Sequence, residues 1–477
     1  MTRQKMLRPA PDYPAELLTE DGELGMLAML LTDNRRVDQV ADILRAEDFS
    51  VPYLGRIYGR VCELVTAGQQ ANPITLKPLL EQDVAWESSG GTAMLAQLTG
   101  GSAAAFMLVK AKDQAAVITE RAARRRLVAT AREIIGTASD PDRSVSQLVD
   151  DVDAALVASI EKREASTDDT LYTSIGRALD RIEQIKANDG RIGATSGIAD
   201  LDDLLGGVEP GQLIIVGARP GMGKTALACS LATGYGSRGH GVQFFSLEMR
   251  SEELGMRMVS DLCCRGVGQW IPFKSIVNGD VTGEQFRQLR AARDEFRALP
   301  VRIRDFSAAT LARLSLSVRR AKRQMAAKGG KLEVVIVDYL QLLHADNPGA
   351  SAYEAVSQIS RGLKALAKEL EVAVIALAQL SRAVEQREDK RPQLSDLRDS
   401  GQIEQDADAV LFLYREEYYL ERAKPKAGNE DLHERAKSDA AGLMTLILAK
   451  RRNGRVGNAT CQYLAAYQAV RSFDWGR

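Results

Sequence analysis

Apolar positions in the first third of the chain recur at helical spacing. Leu24, Leu27 and Leu31 follow that period, as do Ile57, Val61, Leu64 and Val65, which predicts a small all-α domain over roughly residues 23–153. Polar breaks at Thr32-Asp33-Asn34, Asn72-Pro73 and Ser88-Ser89-Gly90-Gly91 separate its helices. An almost wholly polar stretch, 159–170, marks a connection between domains. A short amphipathic helix comes next, with Leu171, Ile175, Leu179, Ile182 and Ile185 on one face and Asp189-Gly190-Arg191 at its end. That face must be buried on its own chain or on a neighbouring subunit, and the pattern does not choose between them.

Beyond Thr195 the pattern changes to short β-rich apolar runs alternating with helical segments, which predicts an α/β domain whose mostly parallel sheet is covered by helices. The runs are Leu213-Ile214-Ile215-Val216, residues 242–247, Val334-Val335-Ile336-Val337, residues 372–378 and residues 409–414. A helix bearing Val356, Ile359, Leu363, Leu366 and Leu370 lies among them. The chain closes on an expected hairpin, 443–449 and 460–464, with Lys450-Arg451-Arg452-Asn453-Gly454-Arg455 at the tip of a projecting ribbon. The charged stretch 416–441 is expected to be a surface loop. The expected domains are therefore 1–158 (all-α), 159–195 (linker with its helix) and 196–477 (α/β).

Composition narrows the class. The chain has 477 residues, 45% hydrophobic and 27% charged, as in ordinary soluble globular proteins. A formal net charge of −1 means that any polyanion must be held by local basic patches. Arg121, Arg124, Arg125 and Arg126 form such a run, read here as a solvated helix face in preference to a nucleic-acid contact. Five cysteines without C-x-x-C spacing suit a reducing cytosol, and three isolated histidines give zinc little support. No run approaches the ~20 apolar residues of a membrane span, so a soluble, unexported protein is expected.

The chemistry concentrates at strand ends. Gly217-Ala218-Arg219-Pro220-Gly221-Met222-Gly223-Lys224-Thr225 sits between an apolar strand and a helix and reads as a phosphate-binding loop for ATP. Its glycines turn backbone N–H groups towards phosphate, Lys224 reaches the β and γ phosphates, and Thr225 holds Mg²⁺. Ala218 stands where the strict pattern has its first glycine. Glu248 follows the second strand, where a carboxylate can activate the attacking water. Asp338 ends four apolar residues and is expected to hold Mg²⁺ through its water shell. Gln379 ends the next strand, where an amide can sense the γ phosphate. Ligands of such sheets sit at the carboxyl ends of the strands, so these residues should meet. The loop Asp396-Leu397-Arg398-Asp399-Ser400-Gly401 suits contact with a phosphodiester backbone, and the hairpin cations suit entry into a neighbour's site. Two bland alternatives stand beside these: an exposed loop, and an edge strand guarded by charge.

Together these stretches resemble the DnaB-type replicative DNA helicases, in the RecA-like branch of P-loop ATPases. The resemblance rests on the phosphate loop, Phe245-Ser246-Leu247-Glu248-Met249, Val337-Asp338-Tyr339-Leu340-Gln341-Leu342, Gln379-Leu380-Ser381-Arg382, the run from Ser395 through Asp408, and Ala449-Lys450-Arg451-Arg452-Asn453-Gly454. It implies a cytoplasmic homohexameric ring that encircles single-stranded DNA at a replication fork and moves 5′ to 3′ by ATP hydrolysis. In that picture Glu248 is the catalytic carboxylate, Lys450 and Arg452 act in trans, and Arg398, Asp399 and Gly401 contact DNA. The linker helix docks on the next subunit, the N-terminal domains form a collar that engages primase, and a helicase loader is a further partner. Three departures from the family pattern stand out: Gly221 for Ser, Asp399 for Glu, and Arg455 for Pro after the Asn-Gly. A recombination ATPase sharing the core, and a ring scaffold without hydrolysis, are the competing readings.

Overall fold

The computed structural model describes residues 13–99, 110–138, 171–187, 191–264, 270–306, 309–344, 352–397, 401–423, 425 and 428–473. The linker stretch 159–170, Asp189 and Gly190, and the loop residues Arg398 and Asp399 lie outside them. Contacts divide the chain into two units, Met1–Tyr172 and Thr173–Arg477.

In the first unit, helices Glu20–Thr32 (α1), Val37–Val40 (α2), Pro52–Thr66 (α3), Pro73–Leu80 (α4), Gly91–Leu98 (α5) and Ala111–Ala138 (α6) enclose a core that includes Leu27, Leu30, Leu54, Ile57, Val61, Leu76 and Ile118. The predicted break at Asn72-Pro73 acts as a cap. Asn72 Oδ1 accepts from the amides of Ile74 and Thr75, Thr75 Oγ1 accepts from the Asn72 amide, and Pro73 opens α4.

The arginine run on α6 is not the solvated face expected of it. Arg125 is 5% exposed, and its guanidinium donates to the carbonyls of Leu17 (2.8 Å) and Asp48 (2.5 Å). Arg121 donates to the Leu18 carbonyl, and Arg126 pairs with the buried Asp48 carboxylate at 2.7 Å. Only Arg124, paired with exposed Glu120, fits the expectation. The reason is local: backbone carbonyls left over where the chain enters the domain need donors, and long arginines on α6 reach them. Arg125→Ala should therefore destabilise this unit by about 2–3 kcal/mol, whereas Arg124→Ala should cost less than about 1 kcal/mol. Hydrogen exchange across α1 and α6 in the two variants checks the difference.

In the second unit the linker helix Leu171–Ala187 (α7), which crosses the boundary, is followed by Ala199–Leu205 (α8), Leu213–Ala218 (β1), Lys224–Ser237 (α9), Gly241–Ser246 (β2) and Ser251–Cys263 (α10). Next come Phe273–Asn278 (α11), Gly283–Phe296 (α12), Val301–Asp305 (β3), Ala309–Thr310 (β4), Leu311–Ala326 (α13), Leu332–Asp338 (β5) and Leu343–His344 (β6). Then follow Ala352–Leu370 (α14), Ala373–Gln379 (β7), Gly401–Asp406 (α15), Ala409–Tyr414 (β8), Glu416–Leu420 (α16) and Glu430–Ala440 (α17). Leu443–Arg451 (β9), Gly457–Leu464 (β10) and Ala469–Ser472 (β11) complete the unit.

Nine strands form one sheet in the order β11-β10-β9-β8-β1-β7-β5-β2-β3. From β8 to β3 neighbours pair in parallel, and β9, β10 and β11 extend the sheet antiparallel. Alternation along β1 sends Ile214 and Val216 to one face with Leu227 and Leu231 of α9, and Leu213 and Ile215 to the other with Leu314 of α13 and Leu363 of α14. Both faces of the parallel strands are thereby covered, which explains their unbroken apolar runs.

Two expectations change here. The stretch 416–441 is not simply a loop: it holds α16 and α17, each opening on acidic residues that suit a helix N-terminus. The terminal hairpin does not project as a ribbon, since β9 pairs with β8 on one side and β10 on the other. The two strands part after the Leu448–Gly457 pair, β9 runs on to Arg451 against β8, and Asn453-Gly454 lies within the five-residue connection 452–456.

Most of the apolar face of α7 finds no cover among the described residues. Leu171, Ile175, Leu179 and Ile182 are 46% to 76% exposed, while Ile185 is half-buried and lines a cleft with Ile192 and Leu205, and Arg181 holds the helix to Glu209 at 2.6 Å.

Candidate active site

Four parallel strands deliver the predicted residues to one rim of the sheet. β1 ends at Ala218, β7 at Gln379 and β5 at Asp338, and Glu248 follows β2. Ala218 is paired with Gln379 across β1 and β7. Ala218 is a buried strand residue, so its position needs no glycine. Past it the chain does need them: Gly221 and Gly223 have φ of +82° and +88°, a region that penalises a Cβ. Lys224 then opens α9, whose first amides and positive end face the cleft.

Each side of this loop is anchored. Met222 is buried in the core, and the Arg219 guanidinium donates to the Leu380 carbonyl (2.8 Å) and to Glu385 (2.9 Å), bracing the loop against the exit of β7. At Gly221 a Cβ would lie 2.7 Å from the Tyr418 ring, so α16 fills the space that a side chain there would use. Arg415 donates to the Gly221 carbonyl at 3.2 Å, adding a second clamp from the same segment.

The ionic centre is compact. Lys224 Nζ lies 3.7 Å from Asp338 Oδ1 and 4.0 Å from the centre of the Tyr339 ring. Burial holds the Lys224 ammonium below its ordinary pKa, an effect that the Asp338 and Glu248 carboxylates oppose. Thr225 Oγ1 donates to Asp338 Oδ2 at 2.8 Å. Asp338 Oδ1 is buried without a hydrogen-bond partner among the described residues. A hydroxyl beside an under-satisfied carboxylate is a hard-oxygen pair that fits Mg²⁺, an ion commonly held by one or two protein oxygens plus phosphate.

Glu248 is presented by a turn. Ser246 Oγ donates to the Met249 carbonyl (2.7 Å) and accepts from its amide (3.1 Å), while the Leu247 amide donates to the Asp338 carbonyl (2.7 Å). Gln379 is cross-bonded through its backbone to the Gln341 side chain, at 3.2 and 3.0 Å. Lys224, Thr225, Glu248 and Gln379 line one cleft of about 450 Å³, together with Pro220, Gly221, Gly223, Tyr339, Arg257, Tyr463 and Gln468.

Sequence reasoning missed that last group apart from the loop residues. Tyr463 makes a flat wall at one side of the cleft, and Arg415 stacks on its ring, the guanidinium carbon 4.3 Å from the ring centre. Period-two alternation puts Cys461 and Tyr463 on the same face of β10, which was the available signal. It could not reveal that this face looks onto the phosphate loop.

Lys450 and Arg452 lie elsewhere. Arg451 is opposite Ala409, and Ala409 is opposite Ile214, so the end of β9 meets the start of β1. The strand between those rims spans roughly 13 Å, at about 3.3 Å per residue. Lys450 and Arg452 are therefore on the opposite rim from Lys224, engaged with α15 and Asp408. Of the expected DNA loop, Gly401 is described and opens α15.

A phosphate loop, two carboxylates and an amide gathered at one rim of this sheet define a RecA-like P-loop ATPase. Comparison with known proteins narrows the class. Residues 193–472 match the DnaB-like helicase C terminal domain family, and residues 19–118 match the DnaB-like helicase N terminal domain family. The chain is 35% identical over 456 residues to the replicative DNA helicase DnaB of Rickettsia typhi, covering 92% of this chain and 89% of that one. It is 32% identical over 450 residues to that of Geobacillus stearothermophilus, covering 94% and 93%. A solved DnaB-like replicative helicase, described with its interactions with primase, superposes with a TM-score of 0.66 at 29% identity, covering 96% of this chain and all of that one. A second solved structure, an isolated ATPase domain, superposes at 0.55 with 34% identity, covering 63% and 99%. The chain belongs to the DnaB-like replicative helicase family, and it is an ATP-dependent DNA helicase. No helix among the described residues is long and apolar enough to cross a membrane.

Proposed function

We propose that this helicase works in the cytoplasm as a homohexameric ring whose nucleotide sites are each shared by two neighbours, and that it moves 5′ to 3′ on single-stranded DNA at a replication fork. The backbone of residues 218–225 cradles ATP, and Lys224 neutralises its β and γ phosphates. Thr225 and Asp338 hold Mg²⁺, which when bound neutralises charge on the phosphate oxygens. Glu248 orients a water and takes its proton as the water oxygen attacks the γ phosphorus and the bond to the ADP oxygen breaks. Gln379 reports whether the γ phosphate is present. Arg452, with Lys450, enters the neighbouring site. Arg398, Asp399 and Gly401 grip the DNA backbone.

The observation that carries this reading is the division of the machinery between two rims. Lys224, Asp338, Glu248 and Gln379 gather at one rim, while Arg452 is displayed on the far side of the same sheet. One chain cannot bring them together, whereas head-to-tail neighbours in a ring can. The mostly uncovered apolar face of α7 fits the same assembly, as a helix that docks on the next subunit. Residues 1–158 then form the collar that engages primase, 159–195 the linker and 196–477 the motor, with a loader to place the ring on DNA.

A forked duplex with a 5′ tail tests the whole. The protein, hexameric with ATP and Mg²⁺, should unwind it, with ATPase activity stimulated by single-stranded DNA. Failure to unwind under hexameric conditions would reject the reading.

The Tyr463 wall is suited to one face of a nucleobase. Tyr463→Ala should raise the KM for ATP about tenfold, from a stacking loss of about 1–2 kcal/mol, with little change in kcat. Steady-state hydrolysis measures this, and an unchanged KM with depressed kcat would reject base stacking.

A further inference from the structure

Lys450 and Arg452, assigned to a neighbour's phosphate, are also bound within their own chain. Lys450 Nζ donates to the carbonyls of Glu404, Gln405 (3.5 Å) and Ala407 (2.9 Å). These carbonyls close α15, where a helix leaves its last acceptors unsatisfied and carries its negative end. Arg452 adds a bond to the Gln405 carbonyl (2.8 Å) and one to Asp408 Oδ1 (3.3 Å). Asp408 is itself fixed, accepting from Lys364 Nζ at 2.5 Å and the Leu213 amide at 2.8 Å. Asp406 Oδ2 is buried without a hydrogen-bond partner among the described residues, so the socket holds spare acceptor capacity.

The helix so gripped is six residues long, Gly401–Asp406, and its buried residue is Ile403. A helix of that length does not hold itself in water, and its placement depends on what caps it and what it packs on. Its first residue follows Arg398, Asp399 and Ser400 directly in the chain.

We propose that Lys450 is a positioning residue for the DNA-contacting loop of its own subunit, because its ammonium binds the carbonyls that close α15 and so fixes the helix that directly follows that loop in the chain. The proposal rests on reading Arg398 and Asp399 as DNA contacts. It has a consequence for the cycle. When the neighbour's nucleotide draws Lys450 and Arg452 away, α15 loses its C-terminal donors, so one subunit's hold on DNA and the next subunit's ATP are thermodynamically linked. A purely catalytic trans role contains no such link, since it acts only when nucleotide is present.

The discriminating measurement is binding of a fluorescent oligothymidylate to the full-length protein without nucleotide. Lys450→Met should weaken binding about tenfold, within the range of an ordinary coupling between sites. Lys450→Arg should restore most of it. Arg455→Met removes the same charge from the exposed loop tip and should bind as the wild type does. In parallel, hydrogen exchange of residues 401–407 in the free protein should accelerate in Lys450→Met and not in Arg455→Met. Wild-type binding by Arg398→Ala would overturn the loop reading, and the positioning proposal with it. Loss of binding by Arg398→Ala beside wild-type binding and exchange in Lys450→Met would overturn the positioning role alone. Equal loss in Lys450→Met and Arg455→Met would do so too, by reducing the effect to charge.

Discussion

Lys224→Ala is expected to reduce ATP hydrolysis about 10³-fold or more while leaving the protein folded. The magnitude follows from what Lys224 faces. It is the cation of a phosphate loop, mostly buried beside Asp338 and Tyr339. The other cations lining the cleft do not replace it, since Arg219 is tied to Leu380 and Glu385 and Arg257 lies over the Phe273 ring. Burial depresses the pKa of this amine while the Asp338 and Glu248 carboxylates oppose the shift, so losing a desolvated charge offsets losing its pairing with Asp338. The loop keeps its shape independently, through the left-handed Gly221 and Gly223, buried Met222 and the Arg219 brace to Leu380 and Glu385. Thermal unfolding of Lys224→Ala should therefore occur near the wild-type temperature. Full turnover would reject the site assignment, and a collapsed melting curve would reject the claim that the loop is pre-formed.

The same contrast between local pattern and tertiary partner explains what the sequence disclosed. The parallel strands were legible because both their faces are buried, leaving unbroken apolar runs, and because each candidate site residue stands at or just past a strand's carboxyl end. Lys224, Thr225, Glu248, Asp338 and Gln379 met as that rule requires. Arg125 escapes a sequence reading because its partners, the carbonyls of Leu17 and Asp48, lie far away in the chain and nothing in a charge run announces them. Tyr463 escapes it for a related reason: it reaches the cleft only because the antiparallel strands β9 and β10 extend the sheet past β8. The Asn453-Gly454 signal suggested a tight ribbon, but continued pairing of β9 with β8 outweighed the local turn preference. Helical spacing identified the apolar face of α7 and could not say what covers it, since most of that face meets nothing among the described residues.

Arg452→Ala should silence hydrolysis nearly as completely as Lys224→Ala, by about 10³-fold, as expected for loss of an arginine acting on the γ phosphate. Its distinctive signature lies in mixtures. A Lys224→Ala subunit keeps a sound Arg452 to offer its neighbour, and an Arg452→Ala subunit keeps a sound phosphate loop. If Arg452 works across the interface, two inactive proteins co-assembled in equal amounts regain activity wherever the second accepts an arginine from the first. Random mixing makes about one interface in four of that kind, so single-turnover hydrolysis without DNA should recover to about a quarter of the wild-type amplitude. If Arg452 instead acted within its own chain, every subunit would lack one essential group and the mixture would stay inactive. The strand register already separates Arg452 from Lys224 by the length of a strand, on opposite rims of the sheet, which is why recovery is the expected result. Absence of any recovery, with mixed rings verified by native mass spectrometry, would refute the trans role and leave Arg452 with only its bonds to Gln405 and Asp408.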